Sequence, residues 1–219
     1  MGKRTDRTGE SRIMNNGLAA TIILYRNCEN VDIEFENGAV VYGRGYRHFK
    51  NGSIRCPMLI NLADDFAEVV NANVTPSATF FMDIEDLPLL GDYYWCTNNT
   101  GYIHRNANPG EILLHRLVAN APDDMNVDHK DGNKLDIRKR NLRICTKAEN
   151  GCNRDKQLNN TSGYKGVTWN KCDKKWVAQI RVNRKNIHLG YHDTPRSAAR
   201  AYNAGAIKYH GEFARLNEI

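Results

Sequence analysis

Asp128 and His129 are adjacent in the run Val127-Asp128-His129-Lys130-Asp131-Gly132-Asn133, and Asn141 and Asn150 follow 12 and 21 positions after the histidine. A carboxylate, an imidazole and two carboxamides therefore fall within 23 residues. The oxygens of Asp128 and Asn150 suit a hard cation such as Mg²⁺. The His129 ring can take a proton from water near neutral pH, and Asn141 can hold that ring by a hydrogen bond. Such a set matches what hydrolysis of a phosphodiester by one metal ion requires. That reaction needs an activated water in line with the leaving 3′ oxygen and positive charge against the developing alkoxide. Taken alone, the same run is also an ordinary polar turn between strands, because Asp-Gly and Gly-Asn are common turn pairs.

The elements around the set must place it. Glu111–Ala119 is an apolar run that leads into it, and Thr146-Lys147-Ala148-Glu149 has the form of a capping box. Thr146 is then the N-cap of a short helix with Asn150 at its fourth position. Strand, loop, strand and helix make a ββα arrangement, with a metal gripped between the end of the first strand and the helix. Adjacent residues of a regular strand face opposite ways, so Asp128 and His129 serve one site only if the strand bends or stops there. The Asp131-Gly132 turn supplies that stop. Lys134, Arg138, Lys139, Arg140 and Arg143 surround the set and are read as phosphate contacts, with a solvated basic loop as the ordinary alternative. His115, beside Arg116, reads as a core or positioning histidine.

Four motifs in order, Leu114-His115-Arg116-Leu117, Val127 to Asn133, Asn141-Leu142-Arg143 and Glu149-Asn150, resemble the HNH nucleases. The likeness is to the branch found in phage-associated homing-type endonucleases, whose motif ends in Asn. It covers roughly residues 78–153. The resemblance implies that Asp128 and Asn150 bind the metal, that His129 is the general base and that Asn141 orients it. Products would carry 5′-phosphate and 3′-hydroxyl ends. Zinc prefers His or Cys donors, so the cofactor expected is Mg²⁺ or Mn²⁺. Ile137 stands where relatives often carry a polar residue.

Behind this set the chain turns basic. Residues 161–219 carry eleven basic and four acidic side chains, against one and seven in residues 59–110. That split argues for separate modules, the last with an anionic partner. Three strand candidates, Tyr164–Asn170, Lys175–Val182 and Asn186–Tyr191, precede an alanine-rich helix over Arg196–His210. Thr194 or Asp193 can cap that helix, and Pro195 fits its first turn. Tyr164-Lys165-Gly166-Val167, Lys175 to Arg181, His188-Leu189-Gly190-Tyr191, Ala198 to Tyr202 and Ala214-Arg215-Leu216-Asn217 resemble the ethylene-response-factor (APETALA-type) DNA-binding domain. Such domains lay the exposed face of a sheet in the major groove. The resemblance implies DNA contacts from Lys165, Thr168, Asn170, Gln179, Arg181, Asn186 and His188. Thr168 and Asn170 stand where the plant proteins often have arginine. Alternation puts Gln179 and Arg181 on one face of the second strand and Trp176, Ala178 and Ile180 on the other, toward the helix. Trp169 and Trp176 read as core.

The rest is less specific. Residues 1–58 read as a small β module of unknown role, with strands at Thr21–Tyr25 and Val31–Glu36 and a two-residue Asn37-Gly38 hairpin to Ala39–Tyr42. The mixed run Arg44–Lys50 fits a nucleic-acid surface or a small barrel equally well. Residues 59–77 read as a linker or short helix and 154–163 as a polar linker. Asp83, Glu85 and Asp86 read as a solvated acidic loop. Six cysteines without a Cys-x-x-Cys pair read as free thiols. No apolar run reaches 18 residues, so no membrane partner is expected. The fold expected is α+β: a β module, a ββα-metal nuclease core over 78–153, and over 164–219 a three-stranded antiparallel sheet packed on one helix. The function expected is a metal-dependent, site-selective homing-type endonuclease on double-stranded DNA in the cytoplasm of a bacterial or phage-infected cell. A single site favours nicking by a monomer. The alternatives are a non-catalytic DNA-binding regulator and a restriction or packaging nuclease.

Overall fold

A computed structural model describes residues 6–71, 78–91 and 93–219. By its contacts the chain divides into two compact units, one of residues 1–118 with 134–139, the other of 119–133 with 140–219.

The first unit begins with an antiparallel sheet of β1 (Ser11–Ile13), β2 (Ala19–Asn27), β3 (Asn30–Phe35) and β4 (Val40–Arg44), in that order. Ala20, Ile22, Val31, Ile33, Phe35 and Val41 turn inward from it and bury one core. The Asn37-Gly38 turn joins β3 to β4, but through three residues, because the Phe35 N–H donates to the Ala39 carbonyl at 2.8 Å. The basic and aromatic run after β4 is the helix α1 (Tyr46–Lys50), whose Phe49 is fully buried. Tyr46 receives a hydrogen bond from Arg7 and donates to Glu10. Two of the aromatics in that run are therefore packing groups.

Residues 59–71 are neither linker nor helix. β5 (Leu59–Leu62) and β6 (Phe66–Asn71) pair antiparallel, and β6 pairs with β7 (Ala78–Asp83). Alternate burial of Ala67, Val69 and Asn71 is the period-2 signal that Asn and Asp residues nearby obscured. Residues 72–77 of that expected linker lie outside the described residues. A 3₁₀ turn over Ile84–Leu90 leads to a sheet of β8 (Cys96–Thr97), β9 (Ile103–Asn106) and β10 (Glu111–Leu113), then to α2 (Leu114–Val118). The acidic cluster is not a solvated loop. Asp86 is buried, and Lys139 bridges Glu85 and Asp86 at 2.6 and 2.9 Å while its N–H donates to Asp83. In the same unit Phe81 bridges Asp136 in parallel, its N–H donating to Leu135 O and its carbonyl accepting from Ile137. Ile137 is wholly buried there.

The second unit holds the hairpin β11 (Asn126–His129) and β12 (Leu142–Cys145), then α3 (Lys147–Cys152). It continues through β13 (Val167–Asn170), β14 (Lys175–Val182) and β15 (Lys185–His192), an antiparallel sheet in that order, to α4 (Pro195–His210) and a 3₁₀ turn over Gly211–Phe213. Thr194 caps α4 by accepting from the Ser197 N–H at 3.1 Å, and Pro195 occupies the first turn. Val167, Ala178 and Ile180 meet Ala198, Ala199, Tyr202 and Ala206 across the layer. Trp176 packs against this core, whereas Trp169 is 44% exposed and meets Trp176 edge-on.

The close approach of layers is set at Gly166, which has φ +72 and whose missing Cβ would strike the Tyr202 ring and sit 2.7 Å from the Gln179 carbonyl. Gly166→Ala should therefore destabilise this unit by more than about 2 kcal/mol, read as a lowered midpoint in urea unfolding.

Candidate active site

β11 carries both chemistry-bearing residues at its end. Asp128 and His129 are buried, and His129 is the last residue of the strand. The turn that follows closes when the Gly132 N–H donates to the His129 carbonyl at 2.9 Å. Gly132 sits at φ +83, which side chains resist. The strand thus stops after His129, with Asp128 and His129 paired in register to Arg143 and Leu142. Asn141, also buried, secures this turn: its Oδ1 accepts from the Asp131 N–H at 3.1 Å and its carbonyl from the Lys130 N–H at 2.8 Å.

Across the hairpin Asp128 faces Arg143. Arg143 donates from Nε at 2.8 Å and from Nη2 at 2.6 Å, both to Asp128 Oδ2. Asn153, the C-cap of α3, donates to Asp128 Oδ1 at 3.0 Å, to Oδ2 at 3.1 Å and to the His129 carbonyl at 2.8 Å. The helix that supplies Asn153 starts as its sequence dictates. Thr146 Oγ1 accepts from the Glu149 N–H, and Glu149 Oε2 accepts from the Thr146 N–H. That backbone bond first, and the Thr146 hydroxyl second, hold the Glu149 carboxyl below its ordinary range. Asn150 is half-buried, and its N–H donates to the Thr146 carbonyl at 3.0 Å. Being three residues before Asn153, it shares that helix face.

Among the described residues no three His, Cys, Asp or Glu side chains gather to hold a metal. Of the residues in this motif, Asp128 offers a carboxylate and Asn150 a carboxamide, hard donor types suited to a cation that keeps most of its waters. Oδ1 of Asp128 accepts from Asn153 and retains a lone pair. The residues fit Mg²⁺ or Mn²⁺ better than zinc.

In the same unit, the sheet face turned from α4 displays Thr168, Arg181, Asn186 and His188 to solvent, with Gln179 half-buried. Register pairs Gln179 with His188 and Arg181 with Asn186. This is a polar β surface that carries the positive charge of Arg181. Asn170 belongs to the adjacent turn, its Oδ1 accepting from the Cys172 N–H and its Nδ2 donating to Asp173.

A family profile described as HNH endonuclease matches residues 113–152, and one described as AP2 domain matches residues 162–212. The chain is 31% identical over 145 residues to the "Uncharacterized HNH endonuclease L560" of Acanthamoeba polyphaga mimivirus, covering 64% of this chain and 74% of that protein. The chain belongs to the HNH endonuclease family. It is also 33% identical to "Protein 3.8" of Escherichia phage T7, over 43% of this chain and 78% of that one. "Ethylene-responsive transcription factor ERF010" of Arabidopsis thaliana shares 45% identity over 25% of this chain and 30% of its own. No solved structure matches.

In this HNH endonuclease several residues expected at the DNA surface do other work. Arg138 forks onto Asp136 (Nε to Oδ1 at 2.7 Å) and lies over the Phe66 ring at 4.8 Å. Arg143 is spent on Asp128. Lys165 turns its ammonium to the carbonyls of Cys152 and Arg154 at 2.6 and 2.5 Å, at the end of α3. Arg140 is exposed, and its carbonyl accepts from Lys130 at 2.8 Å. His115 is buried against the Tyr102 ring, 4.7 Å away, in the first unit. The segment 154–163 is bonded to the reader: Asn160 and Ser162 donate to the Tyr164 and Val167 carbonyls, and Asp155 pairs with Arg215. Asn153 was not expected. Its signal was a second amide three positions after Asn150, on the same helix face.

Burial pulls the Lys165 ammonium down to about 8. The unfolded chain then binds more protons than the folded one between pH 8 and the ordinary lysine value of 10.5. Stability relative to Lys165→Met should rise across that window and level off above it, as measured by urea unfolding at stepped pH.

Proposed function

We propose that this HNH endonuclease is a metal-dependent, site-selective enzyme of the homing type that nicks double-stranded DNA, leaving 5′-phosphate and 3′-hydroxyl ends. It acts as a monomer in a bacterial or phage-infected cell. The observation that carries the reading is the buried Asp128-His129 pair at a strand end, bracketed by a capped helix and built into the same unit as a basic β reader.

Asp128 and Asn150 hold Mg²⁺ or Mn²⁺ in this proposal, and the bound cation supplies positive charge to the scissile phosphate and its leaving oxygen. His129 takes the proton from the attacking water. Asn141 orients His129, both through the turn behind it and as the family resemblance implies. Asn153 and Arg143 hold the Asp128 carboxylate in place by hydrogen bonds. Thr168, Gln179, Arg181, Asn186 and His188 read the groove, with Arg140 at the backbone. The nuclease module spans 78–153 and the reader 164–219.

Plasmid DNA with Mg²⁺ should be converted from supercoiled to open-circular form by the wild type, and the rate should fall at least about a hundredfold in His129→Ala. Binding without cutting by both proteins would leave a DNA-binding regulator as the function. Arg181→Ala should scatter the cut positions mapped along a long substrate while total nicking persists. Equal loss of selectivity and nicking would refute the division of labour.

A further inference from the structure

The end of the AP2 module is built into the cutting site. The Arg143 guanidinium, whose Nε and Nη2 grip Asp128 Oδ2, donates its Nη1 to the Glu212 carbonyl and lies 4.1 Å over the Phe213 ring. Its side chain is 11% exposed. Arg143 is thus held on both edges and one face, by a catalytic-site carboxylate on one side and by the 3₁₀ turn after α4 on the other. A second tie runs parallel to it. Arg215 donates Nη1 to the Asp131 carbonyl, in the turn after His129, and Nε to Asp155, both at 2.9 Å. A third comes from Lys165, whose ammonium meets the carbonyls closing α3, the helix of Asn150 and Asn153. Each of the three pieces of the hairpin-helix site is therefore gripped by a reader residue.

Taking the metal reading above as its basis, we propose that Arg143 is a positioning residue. Through it the segment Glu212-Phe213 of the DNA reader sets the orientation of the Asp128 carboxylate. The planar guanidinium fixes Oδ2 with two hydrogen bonds, and with Asn153 on Oδ1 the two held oxygens set the carboxylate's rotation. Oδ1 stays available to a cation. The reader then does more than choose where the enzyme lands: the cutting site is complete only when the reader's end is seated.

The test uses the full chain. Phe213→Ala removes the ring under the guanidinium without touching the hairpin, and Arg143→Lys keeps the charge but cannot fork. Mn²⁺ binding is followed by electron paramagnetic resonance, DNA affinity in EDTA, and nicking in single turnover. Both variants should bind Mn²⁺ more weakly and nick about tenfold or more slowly, with DNA affinity within about twofold of wild type, a figure set by ordinary scatter in additive effects. Because both act through one guanidinium, the double variant should be no worse than the poorer single. Losses that add, or that follow a drop in thermal stability, would show a merely structural contact and overturn the proposal. So would unchanged or tighter Mn²⁺ binding, the latter meaning that Arg143 only competes with the cation. A wild type that binds Mn²⁺ and nicks while Phe213→Ala matches it sinks this inference alone. A wild type that binds no Mn²⁺ removes the metal reading and the inference with it.

Discussion

The buried carboxylate of Asp128 sets the terms for everything around it. A carboxylate at 5% exposure needs hydrogen bonds and a counter-charge in place of its lost hydration. Arg143 and Asn153 supply both. Removing one partner of such a pair typically costs about 3–5 kcal/mol, because the other is left buried and charged. That penalty links β11 to β12 and to the end of α3 more firmly than two four-residue strands could manage by backbone pairing. The same penalty constrains Arg143, whose remaining edge and face need partners and find them in the Glu212 carbonyl and the Phe213 ring.

Local chemistry repeats this economy elsewhere. Lys139 gathers Asp83, Glu85 and Asp86, and Arg138 pairs with Asp136. In the loop between β11 and β12, Arg138 and Lys139 are thus neutralised by the protein itself, while Lys130 and Lys134 donate to carbonyls. The sheet β13–β15 is left with one open face: its helix side is closed by alanines and Gly166, and the other side carries polar and basic groups.

How far the residues themselves foretold this depends on the range of the interactions involved. The capping box at Thr146, the N-cap at Thr194, the stop at Gly132 and the alternation in β14 involve partners within a few positions. Their types and spacing identify them. The strands β5 and β6 were hidden because Asp and Asn sit among their apolar residues, and period 2 is a weak signal over six positions. The linker 154–163 looked free because polar side chains look alike whether solvent or a carbonyl receives them.

Sequence alone determined the family likeness, the order and spacing of Asp128, His129, Asn141 and Asn150, and the face of β14 that meets α4, since all are encoded in local order. Tertiary structure decided which charges are available. Arg138, Arg143 and Lys165 carry the same charge as DNA-contacting residues, and only their partners in the structure, from Asp136 two positions from Arg138 to Glu212 69 positions from Arg143, show that they are engaged inside the protein. A charge declares its sign in the sequence. Whether it faces water, a carbonyl or an opposite charge depends on long-range packing, which no local pattern records.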